Sequence, residues 1–182
     1  FIPAAERYNL MTEIDRWVVR TTLDTLRSNI LCAAPGSCTI AINLSAQSLC
    51  DDEFLPFILR EFDRHLIDPR HLCFEITETC AIGNLARATH FITTLRARGC
   101  RFALDDFGSG LSSFGYLKNL PVEYLKIDGS FVRDIEHDQM DLAMVEAINQ
   151  IGHVAGMQTI AEYVENTAIQ ERLRRIGVDF AQ

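Results

Sequence analysis

The chain has 182 residues, 48% of them hydrophobic and 23% charged, an ordinary globular composition with room for a core. Its formal net charge of −8 argues against a basic surface that tracks the phosphates of DNA or RNA. No run approaches the roughly 18 apolar residues of a membrane span, so no direct membrane insertion is expected, and no signal peptide is visible. Six cysteines (Cys32, Cys38, Cys50, Cys73, Cys80 and Cys100) show neither a C-x-x-C pair nor zinc-finger spacing. They read as reduced thiols of a cytoplasmic protein. The opening Phe-Ile-Pro-Ala-Ala-Glu carries no initiator Met, and the chain is expected to be a piece of a longer protein.

Residues 4–26 carry Leu10, Ile14, Trp17 and Val18 at helical spacing, with Pro3 near the start, and predict one amphipathic helix. Ala33-Pro-Gly-Ser breaks the chain. Residues 39–45 form a short β-rich run, expected to be a buried strand with Asn43 near its end. Asp51 and Asp52 are expected to cap a helix through Phe54, Leu55, Ile58 and Phe62. Residues 71–79 predict the next strand, with Glu75 and Glu78 towards its end, and Asn84 then opens a helix that Gly99 closes.

The central stretch, residues 101–132, supplies two more strands. The first ends on Asp105 and Asp106 and runs into a glycine-rich turn, Phe107-Gly108-Ser109-Gly110; the second ends Lys126-Ile-Asp128. A helix over residues 141–155, a fifth strand tipped by Glu162 and Glu165, a helix stopped by Gly177 and the start of a sixth strand complete the chain. Strand and helix alternate at the βαβ period of a parallel sheet.

Two adjacent carboxylates at a strand tip are costly unless something neutralises them, and a divalent cation with hard oxygen ligands does so well. Adjacent strand residues point to opposite faces unless the backbone bends, and Phe-Gly-Ser-Gly permits a bend here. Each rival reading is plain: Asp105, Asp106 and Asp128 could be helix caps, Lys126 a salt-bridge partner, and Asn43, Glu75 and Glu162 ordinary strand-end groups. Their joint placement at the same end of successive strands favours a metal site. It also favours a barrel, whose strand ends converge, over an open doubly wound sheet with one switch point. A barrel typically takes about 250 residues, so part of it is expected to be missing. Asp106-Phe-Gly without H-R-D or a glycine-rich loop is not a kinase, and no Gly-x-Ser-x-Gly elbow supports a serine hydrolase.

Ile42-Asn-Leu-Ser, Phe74-Glu-Ile-Thr-Glu, Asp105-Asp-Phe-Gly-Ser-Gly, Leu125-Lys-Ile-Asp-Gly-Ser-Phe-Val and Ala161-Glu-x-Val-Glu together resemble the EAL domain family of bacterial cyclic di-GMP phosphodiesterases. The resemblance covers essentially all 182 residues. It implies one partial TIM-like (β/α)8 barrel over residues 1–182, lacking N-terminal strands, the EAL signature itself and the end of the last strand. The implied reaction is hydrolysis of cyclic di-GMP to linear pGpG with two Mg²⁺ or Mn²⁺ ions. It further implies Asn43, Glu75, Asp105 and Asp106 as metal ligands, Lys126 as the residue that orients the attacking water, and Glu162 as general base or metal-linked carboxylate. Gln182 is implied as a supporting contact, and Glu78 as the tether of a loop, residues 107–113, that couples dimerisation to metal binding.

A cytoplasmic homodimer, fused in its parent to sensory or diguanylate-cyclase-like (GGDEF) domains, is the expected context. A catalytically inactive cyclic di-GMP receptor, or a dimerising regulatory domain, is the alternative, and the filled acidic positions favour the enzyme. Three positions depart from the family pattern: Tyr163, where Gly is usual and where a ring could crowd the site, and Leu111 and Phe114 in the loop.

Overall fold

The computed structural model describes residues 1–28, 39–110 and 114–182. The break expected at residues 33–36, Cys32, Cys38 and Leu111 lie outside the described residues. The chain divides into two compact units, Phe1–Ile76 with Cys80–Phe102, and Thr77–Thr79 with Ala103–Gln182.

In the first unit, the helix expected over residues 4–26 is two helices, α1 (Ile2–Arg7) and α2 (Met11–Arg27). Asn9, in the left-handed region at φ 55°, separates them, a conformation that Asn tolerates better than most residues. The buried stripe of α2 also differs from the expected one: it is Met11, Asp15, Val19, Leu23 and Leu26, while Trp17 is 66% exposed. Strand β1 (Ile40–Leu44) buries Ile42 and Leu44 and leaves Asn43 exposed, so it alternates instead of being buried throughout. It pairs in parallel with β2 (Leu72–Thr77).

Between these strands lies a short helix without a sequence signal of its own, α3 (Ala46–Cys50), capped by Ser45, whose side chain accepts from the Ser48 amide. The helix expected to start at Asp51 and Asp52 is α4 (Phe54–His65); its N-cap is Glu53, and Asp51 instead accepts from the Glu53 amide. Two more helices come after β2: α5 (Glu78–Gly83) and α6 (Leu85–Arg96), the second capped by Asn84 as the spacing predicts. Phe54, Phe57, Phe74, Phe91 and Phe102 join in ring contacts of 5.6–6.3 Å between centroids and form the aromatic core of this unit.

Asp15 is the polar exception on the α2 stripe. Only 4% exposed, its Oδ2 accepts from the Ser45 amide at 2.9 Å and from the hydroxyls of Ser45 at 2.7 Å and Ser48 at 2.6 Å. The carboxylate thereby fastens α2 to the junction of β1 and α3. Asp15→Ala leaves three donors of that junction without their acceptor and is expected to cost about 3 kcal/mol, readable as a fall in denaturant midpoint. An unchanged midpoint would assign the junction's stability to apolar packing alone.

In the second unit, the part of β3 (Arg101–Phe107) from Ala103 onward pairs in parallel with β4 (Tyr124–Ile127), β4 with β5 (Gln158–Ala161), and β5 with β6 (Phe180–Ala181). Helices α7 (Gly129–Val132), α8 (Gln139–Val154) and α9 (Thr167–Ile176) fill the connections, and α8 lies on β4 and β5. Gly152 permits that approach, since a Cβ there would fall 2.8 Å from the Thr159 methyl. The six strands succeed one another in the order β1-β2-β3-β4-β5-β6. A doubly wound sheet reverses its order at a switch point, and this order has no reversal, which is the strand order of a (β/α) barrel.

Candidate metal centre

Strands β3, β4 and β5 each present a charged group at or just past their C-terminal tips. The bend needed between the two aspartates lies in Asp106 itself, at φ 53°, and the β3–β4 register shifts between Leu104 and Phe107. The bend separates the pair: Asp105 is buried, at 8% exposure, and Asp106 is exposed. It also turns the Asp106 amide to donate to Asp105 Oδ1 at 3.1 Å. Glu162, one residue past β5, donates its amide to the Ile127 carbonyl at 3.3 Å, which fixes it beside the tip of β4. Carboxylate oxygens of Asp105, Asp106 and Glu162 all lie within 4.8 Å of one another.

Lys126 is 2% exposed, and a buried ammonium requires partners. Its Nζ lies 2.9 Å from Asp105 Oδ1 and 2.7 Å from Glu162 Oε1, bridging the flanking strands. One cation among three carboxylates leaves net negative charge. Burial pushes the Glu162 carboxyl above its ordinary value; the Lys126 hydrogen bond and charge oppose that, and Asp105 and Asp106 add to it. Burial raises Asp106 too, with Asp105 and Asp128 contributing and Lys126 opposing. Carboxyls driven towards protonation by desolvation and by each other fit a hard divalent cation, which relieves both effects at once.

Glu78, 3% exposed, opens α5 and spans a second polar group. Its Oε2 accepts from the Gly108 amide at 3.1 Å and its Oε1 from the Tyr116 hydroxyl at 2.9 Å. Burial, then the Glu78 carboxylate, push the Tyr116 phenol up, so it stays a donor. Gly108 has φ +97°, and a Cβ there would fall 2.9 Å from Ile148 Cδ1. The Ser109 hydroxyl donates to the Asp106 carbonyl at 2.8 Å, and Gly110 is exposed. The glycine-rich turn is thus fastened directly behind Asp106.

The remaining candidates stand apart from the Lys126 cluster in role. Asn43 faces Glu75 in the β1–β2 register, within the first unit. Asp128 caps α7, accepting from the Ser130 amide at 2.7 Å. Gln182 contributes its backbone: its amide donates to the Ala161 carbonyl at 2.8 Å and its carbonyl accepts from the Val164 amide at 2.9 Å. Tyr116 is not legible as a site residue in the sequence, since a tyrosine past a glycine-rich turn carries no motif of its own.

Comparison with known proteins supplies the family. A model of the EAL domain matches residues 1–182. The chain is 44% identical over 182 residues to the cyclic di-GMP phosphodiesterase PdeB of Shewanella oneidensis, covering all of this chain and 21% of that protein. It is 36% identical over 182 residues to the cyclic di-GMP phosphodiesterase PdeF of Escherichia coli, covering all of this chain and 24% of that protein. The chain therefore spans about a fifth to a quarter of the length of these curated relatives. Among solved structures it resembles the PaMucR phosphodiesterase in complex with c-di-GMP, with a TM-score of 0.90 and 35% identity over 98% of this chain and 72% of that one. EAL domains are TIM-like barrels, the class to which the unreversed strand order points. With its whole length matched, this chain belongs to the EAL domain family.

Proposed function

We propose that this chain hydrolyses one phosphodiester bond of cyclic di-GMP, giving linear pGpG, in a metal-dependent reaction of bacterial second-messenger signalling. The observation that carries the reading is the Lys126 cluster: Asp105, Asp106 and Glu162 within 4.8 Å of one another around a buried ammonium. The names of the matched relatives support the same substrate.

Asp105, Asp106 and Glu162 would hold Mg²⁺ or Mn²⁺, and the family resemblance adds Asn43 and Glu75 to the ligands of a two-metal site. Bound there, such ions lower the pKa of water and offset phosphate charge. The chain's own groups do the rest. Lys126, fixed from two sides, orients the attacking water. Glu162, its carboxyl raised by burial and held by Lys126, is the group suited to take the proton of that water. Oxygen of water bonds to phosphorus, the P–O3′ bond breaks, and the 3′ oxygen leaves with a proton, opening the ring. Glu78 and Tyr116 hold the turn that carries Asp106.

The same reading places the chain, as one partial barrel domain, in a cytoplasmic homodimer. The much greater length of the relatives supports further domains in the parent, such as sensory or GGDEF modules. No helix among the described residues is long and apolar enough to cross a membrane.

Incubation of the protein with cyclic di-GMP and either metal, with the products separated by chromatography, is expected to yield pGpG, and EDTA is expected to abolish it. Nucleotide that is bound but never cut would transfer the assignment to an inactive receptor.

A further inference from the structure

Tyr163 comes directly after Glu162 and has a left-handed backbone, φ 55°, that L side chains rarely adopt. Single exposed aromatics are common and require no explanation. This one differs in how it is held. A Cβ on Gly129 would fall 2.0 Å from Tyr163 Cδ2, so the ring lies directly against the backbone at the start of α7. The guanidinium of Arg133, one turn further along, sits 4.2 Å from the ring centroid. Arg133 has no ion-pair partner among the described residues, so this contact is the one that holds it. The residue remains 55% exposed.

Position completes the observation. Lys126 and Ile127 pair with Ile160 and Ala161 in the β4–β5 register. Gly129 and Tyr163 therefore stand just past the tips of neighbouring strands, on the rim beside Lys126 and Glu162. A strained, pinned and cation-backed aromatic ring at that place presents a flat surface next to the acidic cluster. Carboxylates can accept only from the edge of a base, whereas an aromatic ring binds its face by stacking, and stacking tolerates any base with a π-face.

We propose that Tyr163, backed by Arg133, is the stacking platform for a purine base of the substrate; this rests on the phosphodiesterase reading. The test compares the unaltered protein with Tyr163→Gly and Tyr163→Phe in cyclic di-GMP turnover. Saturation-transfer NMR with GMP and with base-free ribose 5-phosphate is run on the same proteins. Glycine is at ease at this φ, so the glycine variant is expected to fold, and a thermal melt checks it. The expected result is a KM raised about tenfold in Tyr163→Gly, with kcat within about threefold, and no change in Tyr163→Phe. Transfer to GMP should fall in the glycine variant, and transfer to ribose 5-phosphate should not.

An unchanged KM in Tyr163→Gly overturns the platform, as does a raised kcat, which would mark the ring as an obstruction. If the unaltered protein does not cut cyclic di-GMP, the phosphodiesterase reading falls by itself. GMP contact that depends on Tyr163 then still supports the platform, and its absence ends it.

Discussion

Replacing Lys126 with Met should lower the thermal midpoint of the metal-free protein by about 10 °C, and Mn²⁺ should restore part of the loss. The ammonium is 2% exposed and within 2.9 Å of two carboxylates. Methionine conserves much of the volume, so the change removes charge with little effect on packing. Breaking a buried ion pair on one side costs about 3–5 kcal/mol, because the stranded charges lose compensation without regaining water. In a domain of this size, each kcal/mol moves the midpoint by about 2–4 °C. A divalent cation supplies positive charge to the same oxygens, so the metal-induced rise in midpoint should be larger for Lys126→Met than for the unaltered protein. Turnover should not return with stability, since the group proposed to orient water is gone. Equal metal-induced shifts in the two proteins would show that cation and lysine do not share these carboxylates.

The second large effect is catalytic. Glu162→Gln should reduce kcat by about 10²–10⁴ while leaving the fold and nucleotide binding in place, the range expected for loss of a general base. Glutamine keeps the shape and a hydrogen bond to Lys126 but cannot accept the proton. A pH signature accompanies it. The carboxyls of Asp106 and Glu162 are raised by burial, so their contribution to metal-free stability is present below the ordinary carboxylate range and is lost as pH rises through their raised values. Melting from about pH 4 to about pH 8 should show that decline, and Glu162→Gln should flatten it by removing one of the two groups. Retained turnover in this variant would move the base to another residue.

The strand tips are readable because their chemistry is local: Asp105-Asp106, Lys126 and Glu162 each close an apolar run, and alternation at βαβ spacing places such ends together. Asn84 and Gly99 mark their helix boundaries for the same reason. The features that escape the sequence depend on contacts between distant segments. Asp15 interrupts an apolar stripe, and only its serine partners thirty residues on make its burial tolerable. Asp51 and Asp52 look like caps because acidic residues before an apolar run usually are, but α3 already occupies the turn before them. The glycines beside Asp106 suggest that the backbone bends there; the bend falls instead on the aspartate, which accepts the left-handed conformation because Glu78 and Ser109 fasten the adjoining turn. Tyr163 stands out as an oddity in the sequence, whereas its platform of Gly129 and Arg133 emerges only in three dimensions.

The order of charges across the sheet has a consequence for assembly. Read along β3, β4 and β5, the tips run negative, positive, negative: Asp105, Lys126, Glu162. Both pairs across neighbouring strands are therefore attractive, and the lysine stands between the carboxylates of β3 and β5. Side chains alternate faces along a strand, so a one-residue slip of β4 would carry Lys126 to the opposite face and leave like charges side by side. The lysine proposed to serve the chemistry thus also acts as a key, admitting one alignment of three strands and rejecting its neighbours.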